Sequence, residues 1–181
     1  MLLRKKVVVL SFALLFFSFL HAQIEVAHLA SKGISSTGLG GFLNVAIPVT
    51  EGNALTAEAG FYSFKQNDDG IILVPLLLGY RYTINGSGSG LYIEPTAGYT
   101  IGATDIQKIN ENGSSVVVDG KYAEQKVAGV TAGMGAGYIF PGSLAFNIGL
   151  RYEHVLVAKD PSLNLFSLRV SHSFSFRRRE D

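Results

Sequence analysis

The alternation of apolar and polar residues is clearest between Ile71 and Ile101, where two long runs flank a short polar segment. In the second run every other residue is apolar or small, and these residues are Leu91, Ile93, Pro95, Ala97, Tyr99 and Ile101. A period of two residues is typical of a β-strand, because successive side chains point to opposite faces. The segment NGSGSG between the runs favours a reversal of the backbone. The pattern therefore predicts an antiparallel hairpin.

Both strands of this hairpin are long enough to cross a bilayer at a tilt, which takes about 9–11 residues. A symmetric turn of six residues places Arg81 directly opposite Glu94, on the face away from Tyr80, Tyr82 and Ile93. An ion pair on one face and an apolar surface on the other is typical of a membrane barrel strand with a polar lumen. The alternative is a soluble sandwich hairpin with a surface salt bridge.

The same alternation predicts six further strands, so the expected fold is an all-β, eight-stranded, antiparallel, up-and-down transmembrane β-barrel. The further strands are residues 24–30, 39–49, 54–64, 127–140, 144–153 and 166–176. Loops are expected at residues 31–37, 65–70, 102–125 and 158–164, and short turns near Gly52, Ser87 and Gly142. A three-residue turn at Pro141 to Ser143 would place Gly133 opposite Arg151.

The contrast between short turns and long loops predicts the orientation of the barrel. Both termini and the short turns are expected in the periplasm, and the longer loops outside the cell. Residues 102–125 are the longest connection, and they form either a hairpin that projects beyond the membrane or a disordered loop. An extracellular ligand of unknown identity is expected to bind there.

The N-terminus has the features of a secretory signal peptide. Arg4, Lys5 and Lys6 precede an apolar stretch, and the small residue Ala22 is suited to cleavage. We therefore predict a signal peptide at residues 1–22 and a single barrel domain at residues 23–181. Cleavage of the signal peptide removes three of the 15 basic residues and none of the 14 acidic ones, which leaves 12 basic and 14 acidic residues. This balance gives no reason to expect a nucleic-acid partner.

The secretory signal, the eight alternating strands, the runs VPLLLGYRY and LYIEPTAGYT, and the final LRVSHSFSF together resemble the outer membrane protein β-barrel domain family. The family is related in architecture to OmpA-, OmpX- and OmpW-like barrels. The resemblance implies location in the bacterial outer membrane, contact with its lipid and insertion by the barrel assembly machinery. Such barrels usually end in an aromatic residue that this machinery reads, which implies an assembly signal at Phe174 and Phe176.

Six charged residues fall on the inward face of the predicted strands and should form a lumen charge network. They are Glu58, Arg81, Glu94, Arg151, Glu153 and Arg169. A barrel of eight strands is filled by side chains, and buried charges must pair. The expected function is thus a plugged barrel with a structural or surface-interaction role, acting as a monomer. A narrow pore for small solutes or ions is the alternative.

A catalytic role is not expected. A lipid-modifying enzyme would need a cluster at the outer rim, and the candidates His28, His154 and His172 are scattered along the predicted strands. The chain has no cysteine, and no histidine or carboxylate cluster has the spacing of metal ligands. We therefore expect neither a metal nor a cofactor.

Overall fold

Eight long antiparallel strands close into one barrel in the computed structural model, which describes residues 20–66, 69–107, 117–118, 121–122, 124–142, 146–157 and 161–173. The barrel strands are β1 (Leu20–Ser31), β2 (Ile34–Thr50), β3 (Asn53–Gln66), β4 (Asp69–Thr83), β5 (Gly90–Gln107), β8 (Glu124–Ile139), β9 (Phe146–Val157) and β10 (Leu163–Ser173). Two short strands, β6 (Val117–Val118) and β7 (Lys121–Tyr122), pair only with each other. The predicted fold class is confirmed.

Each barrel strand pairs with the next one along the chain, and β10 pairs with β1 to close the ring. This closure leaves no unpaired strand edge, which the hydrocarbon of a bilayer would not tolerate. We call the end where β1 begins and β10 ends the inner end, and the opposite end the outer end. Within the described ranges, no helix is long and apolar enough to span a membrane.

The outer surface of the barrel is apolar. Leu78 and Leu150, for example, are 68% and 65% exposed, whereas Leu77 and Arg151 beside them point inward and are buried. Strands β2, β3, β5 and β8 alternate in the same way, with outward residues more exposed than the inward residues beside them. An apolar surface of this extent is stable only against lipid, because a soluble monomer rarely exposes a large continuous apolar patch.

Two of the predicted loops are wrong because the ladder continues through them. Between β1 and β2 only Lys32 and Gly33 form the turn, since Ser31 pairs with Ile34. Gly33 has φ +78°, a conformation that favours glycine. The ladder between β3 and β4 likewise reaches the pair Gln66 and Asp69. Backbone pairing does not depend on side-chain polarity, so polar residues can extend strands beyond the lipid.

The turns at the inner end and the loops at the outer end therefore differ less in length than predicted. At the inner end β2 and β3 are joined by Glu51 and Gly52, and β4 and β5 by residues 84–89. At the outer end two connections are also two residues long, and β10 begins at Leu163, inside the loop predicted at residues 158–164. The segment between β5 and β8 is what makes the outer-end connections longer than those at the inner end.

The predicted register between β8 and β9 is wrong by two residues. Gly133 lies opposite Glu153 rather than Arg151, and Arg151 lies opposite Gly135. The turn is longer than the predicted three residues, because the backbone N–H of Phe140 donates to the carbonyl of Phe146 (2.9 Å). A shift of two residues keeps every side chain on its face. The inward set is consequently the predicted one.

The segment at residues 102–125 is partly a continuation of the barrel strands. Strand β5 runs to Gln107, which pairs with Glu124 of β8, and the β6–β7 hairpin lies between them. This pairing favours the projecting hairpin over a disordered loop. The predicted assembly signal at Phe174 and Phe176 lies outside the described residues. Strand β1 begins at Leu20, so the predicted boundary after Ala22 falls within it and stays a prediction.

Candidate functional site in the barrel lumen

Alternation along the strands brings all six predicted charged residues into the lumen, where they are buried. A seventh, Glu25 on β1, joins them and is fully buried. Sequence reasoning missed Glu25 because residues 24–30 alternate only approximately. Counting the period of two from Gln23 would have found it, since the polar Gln23 and Glu25 alternate with the apolar Ile24 and Val26. In the structure Gln23 and Glu25 are buried, whereas Ile24 and Val26 are exposed.

Arg151 is the centre of the first half of the network. Its guanidinium holds the Glu58 carboxylate with two hydrogen bonds, of which that from Nη2 to Oε2 is 2.8 Å long. Nη1 also donates to Oε1 of Glu153 (3.0 Å) and lies 3.6 Å from Oε1 of Glu25. A single guanidinium thus serves three carboxylates on β1, β3 and β9.

Glu94 is the centre of the second half. Arg81 Nη2 donates to Glu94 Oε2 (3.1 Å), which confirms the pairing expected from the symmetric turn. Arg169 Nη2 donates to the same oxygen, and Thr56 Oγ1 donates to Oε1 (2.8 Å). Arg169 Nη1 lies 3.7 Å from Glu58 Oε2, so Arg169 links the two halves.

An inward tyrosine packs between the guanidiniums of the second half. The ring centroid of Tyr92 lies 5.0 Å from Cζ of Arg81 and 5.8 Å from Cζ of Arg169, within the range of cation–π attraction. Arg169 Nη2 also donates to the Tyr92 hydroxyl (3.1 Å), which donates in turn to Asn147 Oδ1 (3.2 Å). The ring therefore fixes both side chains.

Inward glycines leave the space that these long side chains occupy. A Cβ atom at Gly149 would lie 2.6 Å from the Tyr92 hydroxyl oxygen and 3.3 Å from Arg169 Nε. A Cβ atom at Gly137 would lie 2.7 Å from the same hydroxyl. Neither position accepts a side chain without displacing the network. The space at Gly149 is thus taken by Arg169 and Tyr92.

Above the charged layer, towards the outer end, the lumen is apolar, which the sequence analysis did not foresee. The buried residues of this layer are Ala27, Leu29, Phe42, Tyr62, Phe64, Ile71, Leu73, Val155, Leu163 and Leu165. Phe42 packs edge-on against Tyr62 with ring centroids 4.8 Å apart. The Tyr62 hydroxyl donates to Glu25 Oε2 (2.6 Å), so this residue joins the two layers.

Among the described residues, no group of three or more histidine or carboxylate side chains is placed to hold a metal. His28 and His154 point outward near the outer end and His172 outward near the inner end, so they contribute nothing to the lumen. With all groups ionised, four carboxylates face three guanidiniums. The ion pairs of the site cross-link strands β1, β3, β4, β5, β9 and β10.

A closed, lipid-facing, antiparallel barrel of eight strands with a filled lumen defines a small transmembrane β-barrel. The family model of the outer membrane protein beta-barrel domain matches residues 16–174, so the chain belongs to that family. It is a protein of the bacterial outer membrane. No curated protein matches the chain.

Among solved structures, Ail, the attachment invasion locus protein of Yersinia pestis, is 13% identical with a TM-score of 0.61, and the match covers 86% of this chain and 96% of that one. Neisserial surface protein A is 15% identical with a TM-score of 0.53, covering 86% and 96%. The N-terminal barrel domain of Pseudomonas aeruginosa OprF is 16% identical with a TM-score of 0.51, covering 83% and 96%. At these identities the likeness shows the fold alone.

We expect Arg81→Met and Glu94→Gln to lose less stability together than the sum of the two single losses. The side chains are in contact, and contacting charged groups typically couple by about 0.5–3 kcal/mol. The measurement is a double-mutant cycle from urea unfolding of the detergent-folded barrel. A control cycle of Arg81→Met with Glu25→Gln, whose side chains make no direct bond in the described structure, should be additive within about 0.5 kcal/mol. Additivity in both cycles would refute the pairing.

Proposed function

We propose that the chain is a plugged outer-membrane barrel with a structural or surface-interaction role, and that it acts as a monomer without enzymatic activity. The observation that carries the proposal is the filling of the lumen by two successive layers. The inner-half layer is charged and cross-linked between strands, and the outer-half layer is apolar.

Each layer opposes conduction for a different reason. A hydrophobic constriction closes by excluding water, and Leu29, Leu73 and Val155 are each fully buried within the outer layer. In the charged layer an ion would have to displace a partner from a guanidinium such as that of Arg169. Leaving a buried charge without its partner costs several kcal/mol. Such barriers in series support a plug rather than a narrow pore.

The conductance of the purified full-length protein in a planar bilayer tests this proposal. We expect no stepwise current from the wild-type barrel at neutral pH. An open porin in the same bilayer is the positive control. The triple variant Phe42→Ala, Tyr62→Ala, Phe64→Ala removes three large side chains of the outer layer but keeps the charged layer, so it should remain closed as well. Reproducible single-channel steps from the wild-type protein would overturn the plug in favour of the pore.

A separate experiment tests the absence of enzymatic activity. Expression of the protein in a Gram-negative host should leave the mass of the outer-leaflet lipid unchanged. A lipid species of new mass would reveal an enzyme.

The interaction surface in this proposal is the segment between β5 and β8. Strand β5 has 18 residues, whereas a tilted strand needs only about 9–11 to cross the bilayer. At about 3.3 Å per residue, the excess allows these strands to extend well beyond the lipid. An extended hairpin offers backbone and side chains to an extracellular ligand, whose identity the proposal leaves open.

We expect protease added to intact cells to cut first within residues 102–125. The segment is the longest connection, and long exposed connections are the preferred sites of proteolysis. Mass spectrometry of the fragments would locate the cut. Broken cells, in which both ends of the barrel are accessible, are the control and should add cuts only at the inner end, near Ser87. First cleavage of intact cells at Ser87 would invert the assigned orientation.

A further inference from the structure

The ionised charges of the lumen do not balance. All eight strands of the barrel wall are described at the height of the charged layer, so every charged side chain that the wall contributes there is accounted for. With every group ionised, the layer carries one negative charge in excess. An uncompensated charge is strongly unfavourable in a buried position. The charged side chains in question are Glu25, Glu58, Glu94 and Glu153 against Arg81, Arg151 and Arg169.

Glu153 is the carboxylate with the fewest hydrogen bonds. In Glu25, Glu58 and Glu94 both carboxyl oxygens accept a hydrogen bond from another side chain. In Glu153, Oε1 accepts one from Arg151 Nη1 (3.0 Å), and Oε2 accepts none from the described residues. The Glu153 side chain is only 2% exposed, so bulk water does not supply the missing donors. The excess negative charge therefore falls on Glu153.

The surroundings of Glu153 disfavour its ionised form. Its one donor, Arg151 Nη1, also holds Glu58 and lies 3.6 Å from Glu25 Oε1, so three carboxylates share a single nitrogen. On the outer side Glu153 borders the apolar layer. Both the neighbouring carboxylates and the apolar side chains favour a neutral carboxyl group. The groups around it are Arg151 and Val155 on β9, Glu25 on β1, Glu58 and Tyr62 on β3, Gly133 on β8, and Leu165 and, further towards the inner end, Arg169 on β10.

A proton is the cation that suits this position. A metal ion needs several oxygen ligands around it, and no such group of side chains exists among the described residues. The strand beside Glu153 also leaves little space, since a Cβ atom at Gly133 would lie 3.2 Å from Glu153 Cγ. A proton needs no added space. Bound at Oε2, it removes the excess charge and leaves Oε1 free to accept from Arg151.

We propose that the lumen of the folded barrel binds one proton at neutral pH, on the carboxyl group of Glu153. The other three carboxylates stay ionised and balance the three guanidiniums. In the unfolded chain the Glu153 carboxyl group is exposed to water and ionised at neutral pH. Folding therefore takes up a proton, and the stability of the barrel must decline as the pH rises. This proposal is independent of whether the barrel conducts or binds an extracellular ligand.

Urea unfolding of the full-length, detergent-folded barrel at several pH values tests the proposal. Above about pH 5 we expect the folding equilibrium constant of the wild-type protein to fall by up to about tenfold per pH unit, the limit for uptake of one proton. Glu153→Gln stays neutral at every pH, so it should remove most of this dependence and be at least as stable as the wild type at neutral pH. Heat-dependent gel mobility establishes that each variant is folded.

Glu51→Gln is the matched control, because Glu51 lies exposed in the turn between β2 and β3. This variant should keep the pH dependence of the wild-type protein. The histidines titrate in the same range, but all three proteins contain them, so their contribution cancels in the comparison. Equal pH dependence in the wild type and in Glu153→Gln would refute the proposal.

Infrared spectroscopy detects the proton directly, since a protonated carboxyl group absorbs apart from a carboxylate. At neutral pH the wild type and Glu51→Gln should show a protonated-carboxyl band that Glu153→Gln lacks. This measurement on the wild type stands even if Glu153→Gln fails to fold. Absence of the band from the wild type would overturn the proposal, and its retention in Glu153→Gln would overturn the assignment to this residue. Stability that follows the sodium concentration instead of the pH would replace the proton by a metal ion.

Discussion

Replacing Arg151 with methionine should destabilise the barrel more than replacing either of the other lumen arginines. Removal of one partner from a buried ion pair costs about 3–5 kcal/mol, because it leaves an uncompensated buried charge. Arg151 contacts three carboxylates, and the only hydrogen bond that the structure gives Glu153 comes from it. The measurement is the free energy of unfolding from urea titrations of the refolded protein.

Arg81→Met is the matched control for this prediction. Its partner Glu94 retains hydrogen bonds from Arg169 and Thr56, so the loss should be smaller, about 1–3 kcal/mol. Combining Arg151→Met with Glu153→Gln should recover part of the stability, because the second change neutralises the stranded carboxylate. Equal losses for Arg151→Met and Arg81→Met, or no recovery in the double variant, would contradict the network as described.

Leu150→Arg should impair insertion and stability although it lies next to Arg151 in the chain. Leu150 points to lipid and lies near the middle of β9, between Ala136 and Leu168 on the adjoining strands. Arginine on the lipid face at the midplane costs about 2–4 kcal/mol. The free energy of unfolding in lipid vesicles and the fraction of folded protein in the outer membrane both measure the effect.

Leu156→Arg on the same strand is the depth control. Leu156 is exposed to a similar degree, 57% against 65% for Leu150, but it lies near the outer end. Close to the interface the same substitution costs only about 0–1 kcal/mol. If the two variants lost equal stability, the assigned position of the apolar band would be wrong.

These predictions differ in how far the sequence alone could have made them. Arg151 was assigned to the inward face by the period of two, which a single strand carries within itself, and the same period places its neighbour Leu150 on the lipid face. The contact of Arg151 with three carboxylates could not be predicted from the sequence of any one strand. Its partners lie on β1, β3 and β9, and which carboxylates reach it depends on the curvature of the closed barrel.

The register errors have a local cause. The hairpin from Ile71 to Ile101 was predicted correctly, because its turn is symmetric and confines the pairing of Arg81 with Glu94 to one arrangement. The β8–β9 register was missed by two residues, and residues 31–37 and 65–70 were assigned to loops. In each case polarity or a Pro-Gly pair was taken to end a strand, whereas the ladder ends only where backbone partners are lost.

The sequence by itself determined the barrel class, the membrane face of every strand whose alternation is clear, and six of the seven lumen charges, because alternation along a strand decides which side chains share a face. Only the tertiary structure decided that the outer half of the lumen is apolar and that Arg169 joins two ion-pair clusters. Each of these features combines residues from strands far apart in the chain. Their meeting depends on barrel closure and stagger between strands, which no single segment encodes.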